Sequence, residues 1–243
     1  MTDAAPRLSV IITSTSSLQE VLTCLSTITQ QSCRQRLEII VPYGADDASP
    51  ETIATNYPDV ICIRLQRATP LPRLLGAALA RATGEVVAIT DASCGIDAHW
   101  VSAILQAHAG PHPIIGGAVE PEGLRTLVDW AAYFCDYGQF MLPLTEGVVN
   151  EVPGNNISVK RRALARGREF VEGEFWKSSW CRRMQTEGLS LYTVPSIVVY
   201  YRKSFRLWQY LVHRFHNGRC FAGMRFAQLS HVRRGVYVAA SPD

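Results

Sequence analysis

Asp91 stands at the end of the stretch Gly84-Glu85-Val86-Val87-Ala88-Ile89-Thr90-Asp91-Ala92-Ser93. A small-residue turn is followed by an apolar run too short for anything but a buried strand, with a carboxylate at its exit. That exit is where α/β folds present metal ligands to bound phosphates. The plainer alternative is a residue that ends the strand or caps a helix beginning near Asp97. Further along, Asn155 and Asn156 follow Pro153-Gly154; their amides suit sugar hydroxyls or phosphate, though asparagine after glycine is also an ordinary turn residue. Gly116-Gly117 after Ile114-Ile115 lets a strand pass close to a ligand. His213 and His216 lie three apart beside Arg214 and Arg219, and with no third ligand in view this is not a zinc pattern.

The elements that would hold Asp91 in place are written upstream of it. Leu8 to Thr13 reads as a buried strand, and Leu18, Val21, Leu22, Leu25 and Ile28 recur at helical spacing after the capping candidates Ser16 and Ser17. Leu37 to Val41 is a second strand ended by Pro42, with a loop over Tyr43 to Asp47. A short helix from about Pro50 leads to a strand over Val60 to Leu65, an Ala/Leu helix over Leu71 to Ala82, and a fourth strand over Glu85 to Thr90. Alternation of this kind gives an α/β fold with a mostly parallel sheet and helices on its faces. Ligands bind beyond the C-terminal ends of such strands. The segments Thr13 to Thr15, Tyr43 to Asp47, Gln66 to Arg73 and Asp91 to Ser93 therefore converge on one rim, the candidate nucleotide site.

With 243 residues, 47% of them hydrophobic and 19% charged, the chain can bury a full core in one domain, or in one domain plus a small annex. No stretch approaches the ~18 uninterrupted apolar residues of a membrane span, and the N-terminus has no signal-sequence pattern. A cytoplasmic location is expected, or a peripheral one at the cytoplasmic face of the membrane. Seven cysteines without a CxxC pair argue against a disulfide framework or a structural zinc site. Charge is uneven: residues 1–199 carry 16 Lys/Arg and 20 Asp/Glu, whereas residues 200–243 carry 8 Lys/Arg and Asp243 alone. The net +3 is thus −4 in the body and +7 in the tail. The tail's basic residues are interleaved with Phe205, Leu207, Trp208, Tyr210, Leu211, Phe215 and Phe221. It reads either as a contact with an anionic membrane surface or as a solvated basic face on a helix whose aromatic side packs on the body. The apolar run Gly235 to Ala240 is compatible with further, membrane-embedded sequence. No nucleic-acid partner is expected.

In order along the chain, Ser9-Val10-Ile11-Ile12, Glu38-Ile39-Ile40-Val41 with Gly44-Ala45-Asp46-Asp47, Arg73-x-x-Gly76 ahead of Ala82-Thr83-Gly84-Glu85, and Thr90-Asp91-Ala92-Ser93 resemble the family 2 glycosyltransferases with the GT-A fold. Pro153 to Arg161 is similar to that family's acceptor-side segment, and Arg182-Arg183-Met184 through Val194-Pro195 to its closing helix and strand. The likeness implies a Rossmann-like, mostly parallel sheet with helices on both faces, and a nucleotide half over about residues 7–95 and an acceptor half over about 96–200. A basic aromatic helical segment follows over 201–243. It implies inverting transfer of a sugar from a nucleoside diphosphate sugar to the hydroxyl of a glycan or lipid-linked acceptor, with Mg²⁺ or Mn²⁺ held at the acidic motif. Asp91 matches that motif's first carboxylate, but Ser93 stands where a second Asp is usual. Thr13, Tyr43, Asp46 and Arg73 are the other donor-side residues: Tyr43 stacks on the base, Asp46 or Asp47 bonds base or ribose, and Arg73 faces the diphosphate. Asp46 and Asp47 are equally well read as turn-formers. Asn155, Asn156, His216 and Arg219 are the acceptor-side set. Inverting members use a carboxylate as base on the helix before the Arg-Leu pair, and reading back from Arg183-Met184 puts Trp176-Lys177 there. Glu174 is then the nearest carboxylate and Glu172 the next; each is otherwise read as an acid favoured near a helix N-terminus. The departures from the family pattern also fit a rival, a catalytically degenerate fold that binds nucleotide sugar or serves as a scaffold subunit.

Overall fold

The structure is a computed structural model that describes residues 7–13, 17–31, 37–44, 50–67, 69–166 and 174–227. It divides into two compact units, Met1–Leu124 with Tyr133–Lys203, and Arg125–Ala132 with Ser204–Asp243. The sequence placed a single boundary near residue 200; the second unit also takes in Arg125–Ala132, which no change of composition marks.

The first unit is built on one sheet. Strand β1 (Leu8–Thr13), buried at every position, lies between β2 (Leu37–Gly44) and β4 (Val86–Asp91), parallel to both, and β3 (Val60–Leu65) extends the parallel set beyond β2. On the other side β8 (Asn156–Lys160) runs antiparallel to β4, and β6 (Ile114–Pro121) antiparallel to β8. Strand β9 (Leu191–Tyr201) is parallel to β6 and carries the two three-residue strands β5 (Cys94–Ile96) and β7 (Gly147–Val149). The order is β3-β2-β1-β4-β8-β6-β9-β5, with β7 paired to β9 off that path. Because β1 through β4 are parallel, the ends of β1 and β4 meet at one edge, and Thr13 is in register with Asp91.

Helices cover both faces. Helix α1 (Leu18–Thr29) starts with a capping box: Glu20 N–H donates to Ser17 Oγ, and Ser17 N–H donates to the Glu20 carboxylate. After α2 (Pro50–Asn56) comes α3 (Leu71–Arg81), whose proline in the first turn suits a position with no intrahelical donor to lose. Helices α4 (Trp100–Ala107), α5 (Leu127–Tyr137), α6 (Arg161–Leu164) and α7 (Lys177–Thr186) follow. Leu75, Ala78 and Leu79 of α3 and Trp180, Cys181 and Met184 of α7 close one core over Ile11, Ile40, Val87, Ile89, Ile157 and Val159. The motif residues at the sheet's opposite edge turn out to be structural. Gly84 N–H donates to Ser9 Oγ, Ser9 Oγ donates to Glu38, and Thr83 donates to the same carboxylate, tying β1, β2 and the entry to β4. A Cβ on Gly84 would lie 2.6 Å from Ser9 N, so only glycine fits.

One strand differs from expectation. Strand β2 does not stop at Pro42 but runs to Gly44, with Pro42 opposite Ile63. The ladder to β1 ends at Ile11–Ile40, so beyond it β2 is paired on one side only, where a missing N–H is tolerated. The second unit contains α8 (Leu207–Ala227) and the first residues of α5. Asp129, buried, organises it. One carboxylate oxygen accepts from Arg125 and Thr126 N–H at 3.2 and 3.0 Å, the other from Ser204 Oγ and Phe205 N–H at 2.8 and 3.0 Å. Thr126 Oγ1 in turn accepts from Asp129 N–H, a second capping box. Burial pushes the Asp129 carboxyl upward in pKa, but these bonds outweigh it and hold it well below the carboxylate range.

Candidate functional site

At the paired ends of β1 and β4, three oxygen-bearing side chains meet. Asp91 Oδ1 accepts from Ser93 N–H at 2.9 Å and Ser93 Oγ at 2.5 Å, an Asx turn that lifts the chain out of β4. Asp91 Oδ2 accepts from Thr13 Oγ1 at 3.3 Å, and that hydroxyl also reaches Thr90 O at 3.1 Å. Ala92 N–H donates to Thr13 O, which extends the β1–β4 ladder one step past the strands. Asp91 is half-buried, while Thr13 and Ser93 are buried beside it. Asp91 therefore ends its strand without capping α4, which starts nine residues later with no side-chain cap.

Behind this turn lies a packed polar layer that the sequence did not announce. Asn155 is buried; its Nδ2 donates to Cys94 Sγ at 3.3 Å and its Oδ1 has no partner. Burial, and then the neighbouring Asp91, pushes the Cys94 thiol up to about 12, so it stays neutral. Burial, then Cys94 and Asp91, likewise raises the Tyr137 hydroxyl well above its usual value. Asn156 requires a correction: it does not offer its amide to an acceptor. Its Oδ1 accepts from Trp100 Nε1 at 2.9 Å and its Nδ2 donates to Ala118 O and Ile197 O at 2.8 and 2.9 Å, so both ends are consumed by the core. Gly116 and Gly117 belong to the same construction. A Cβ on Gly117 would lie 2.0 Å from Ile197 O and 2.5 Å from Asn156 Nδ2, and one on Gly116 2.6 Å from Val152 Cβ. The close approach that these glycines permit is to the protein itself and not to a ligand.

A second group forms where α3 begins. Arg73 Nε donates to Glu174 Oε1 at 2.9 Å, and Trp176 Nε1 donates to Glu174 Oε2 at 3.2 Å. Phe175 N–H donates to Pro72 O at 2.8 Å and docks the segment before α7 onto α3. The Trp176 bond and then the Arg73 bond lower the Glu174 pKa against a smaller opposing effect of burial. The two ion-pair side chains are 62% and 43% exposed, which places the pair in the class worth ~0–1 kcal/mol. Arg73 and Glu174 each stand out in the sequence, but nothing local in it marks their pairing or the indole donor of Trp176.

Tyr43 is the other correction. The residue is only 3% exposed within β2, and burial, followed by the Cys62 thiol, raises its hydroxyl pKa; it is not placed to stack on a base. His216 and Arg219 lie exposed on α8 in the second unit, with Arg219 Cζ 5.8 Å from the Phe215 ring centroid. Asp46, Asp47, Glu172 and residues 228–243 lie outside the described residues.

Among the described residues, no group of three or more His, Cys, Asp or Glu side chains is arranged to hold a metal. The side chains bonded to the Asp91 carboxylate offer hard oxygens, the hydroxyls of Ser93 and Thr13, and the neighbouring Cys94 thiol stays neutral. Such a set fits Mg²⁺ or Mn²⁺ in the mode where one carboxylate and a substrate's phosphates share the ion.

A family model described as "Glycosyl transferase family 2" matches residues 9–165. Comparison with curated proteins gives no match. Among solved structures, the chain is similar to the mannosyltransferase PcManGT from Pyrobaculum calidifontis in complex with GDP-Man and Mn²⁺, at 20% identity and TM-score 0.59, covering 84% of this chain and 59% of that one. It is also similar to S. aureus TarS 1–349, at 14% identity and TM-score 0.59, covering 80% and 60%. At these identities the likeness is one of fold, a mixed α/β sheet flanked by helices, and the chain spans about three-fifths of each of these relatives.

Proposed function

Because the chain belongs to glycosyl transferase family 2, we propose that it transfers a sugar from a nucleoside diphosphate sugar to an acceptor hydroxyl, with inversion at the anomeric carbon. The observation that carries this reading is the Thr13–Asp91–Ser93 oxygen cluster at the paired ends of two parallel strands, where such folds hold phosphates. Asp91 and Ser93 would hold Mg²⁺ or Mn²⁺, which would offset charge growing on the departing diphosphate. Arg73 is the cation for that diphosphate. Its ion pair with Glu174 is exposed and weak, so a ligand with several negative charges competes for it. Release of Arg73 leaves Glu174 as an ionised carboxylate with its low pKa partly relieved, able to take the proton of the attacking hydroxyl. A glycan or a lipid-linked glycan is the proposed acceptor.

Calorimetric titration with UDP-, GDP- and dTDP-sugars, each with and without Mn²⁺, tests the donor side. Binding of one donor, tightened by the ion, followed by release of nucleoside diphosphate, is expected. Binding with no turnover on any acceptor offered would instead favour a binding or scaffold subunit, and no donor binding at all would remove the reading.

A further inference from the structure

We propose that the second unit docks on an anionic phospholipid surface through an apolar face of α8. Leu207, Trp208, Leu211, Val212 and Phe215 are all exposed, Trp208 by 74% and Phe215 by 63%. Their spacing sets them on one arc, roughly 140° wide at ~100° per residue. The helix is not simply turned inside out: Tyr210, on its other side, is buried and packs against Phe205 with ring centroids 5.5 Å apart. Large apolar side chains gathered on one exposed arc mark an interaction surface, since scattered single ones are what ordinary solvated helices carry.

Charge decides the occupant. Arg214 and Arg219 are exposed on the same helix and Arg206 at the residue before it, with His213 and His216 between them, and residues 200–242 contain no Asp or Glu. Arg219 holds its guanidinium carbon 5.8 Å from the Phe215 ring centroid and is exposed, so a solvent-facing cation sits directly beside the apolar arc. Aromatic and aliphatic side chains that enter the headgroup region, flanked by cations that stay among the headgroups, are the make-up of an interfacial helix. A second copy of the chain would bring like charges together. No described helix is long and apolar enough to cross a membrane; an apolar arc running along one side of α8 suits a helix lying in the plane of the surface. Asp129 fixes the approach to α8 by accepting from Ser204 and Phe205. The proposal rests on these side chains and not on the transfer reading, and its test uses neither donor nor acceptor, so either can fail without the other.

The test is cosedimentation of the purified chain with vesicles of phosphatidylcholine, and of phosphatidylcholine mixed with an equal amount of phosphatidylglycerol. Tight partitioning onto the mixed vesicles, weakened by salt, is expected. Arg206→Gln with Arg219→Gln should weaken it by roughly 25-fold, about fivefold for each cation removed. Leu211→Gln with Phe215→Gln, both exposed and so without effect on the circular dichroism spectrum, should abolish it on either vesicle. Failure to bind the mixed vesicles, equal binding to both kinds, or unchanged binding in the apolar double variant overturns the proposal. Self-association lost in that variant without vesicle binding also overturns it, in favour of a chain–chain contact.

Discussion

Replacing Glu174 by Gln separates catalysis from architecture more sharply than any other single change. Glutamine keeps the volume and an oxygen that can still accept from Arg73 Nε or Trp176 Nε1, now at 2.9 and 3.2 Å from the carboxylate; what disappears is the charge. With side chains 62% and 43% exposed, the ion pair stabilises the fold by at most ~1 kcal/mol, and for a chain of this size that moves Tm by no more than ~4 °C. Loss of a general base, in contrast, lowers turnover by ~10²–10⁴-fold, equivalent to about 2.7–5.4 kcal/mol at 1.36 kcal/mol per tenfold. The two effects differ enough for one variant to decide. Turnover is read as release of nucleoside diphosphate, and donor affinity by calorimetry; affinity should hold or improve, because Arg73 is freed. The wild-type rate should persist from neutral pH down toward the ordinary carboxylate range, since the Trp176 bond, the larger of the two that lower the Glu174 pKa, remains when Arg73 is released. A loss smaller than ~10-fold in the Gln variant refutes the assignment of Glu174 as base.

Asp91→Asn should leave Tm nearly unchanged, because an amide oxygen can still accept from Ser93 and Thr13 Oγ1 keeps Thr90 O; turnover should fall by roughly 10²–10³, and Mn²⁺ should no longer tighten donor binding in calorimetry. Gly117→Ala sets a methyl 2.0 Å from Ile197 O, which only a backbone shift can relieve; differential scanning calorimetry should show Tm lowered by roughly 6–12 °C, the upper end of overpacking costs. The Asp129 pKa is depressed in the folded state, so the stability it contributes is complete above its unfolded value near ~3.9 and is lost as pH falls through the folded one. Proteolysis of α8 should accordingly accelerate in acid for the wild type, and already at neutral pH for Asp129→Asn.

The strands that carry Asp91 were legible because each is a short apolar run closed by a small or turn residue, and parallel sheets bury such runs on both faces. The features without a local signature depend on distant partners. Strand β5 is three residues long, with no pattern of its own, and exists because Tyr201 to Val199 pair with it. Strand β8 begins with Asn156, which looks like a turn residue until Trp100, Ala118 and Ile197 are found around it, 56, 38 and 41 positions away. Tyr43 was expected in a loop because proline usually ends a strand that is paired on both sides; β2 continues because its β1 ladder has already stopped. The Arg73–Glu174 bond spans 101 positions, and no local pattern could announce it.

The substitution of Ser93 for a second carboxylate bears on the cation as well. Ser93 Oγ donates its proton to Asp91 Oδ1 at 2.5 Å and keeps its lone pairs, so the turn is held closed by neutral hydroxyls from Ser93 and Thr13 where a second carboxylate would add like charge beside Asp91. With one negative charge fewer at the rim, a diphosphate meets less repulsion before any ion arrives, while an ion finds less to hold it until the diphosphate brings its own oxygens. Donor and metal should therefore bind interdependently. Mn²⁺ titrated alone should give weak or no heat, donor alone measurable binding, and the two together a gain shared reciprocally, because the factor by which each tightens the other must be the same. Tight Mn²⁺ binding to the donor-free chain would mean that ligands other than Asp91 complete the site.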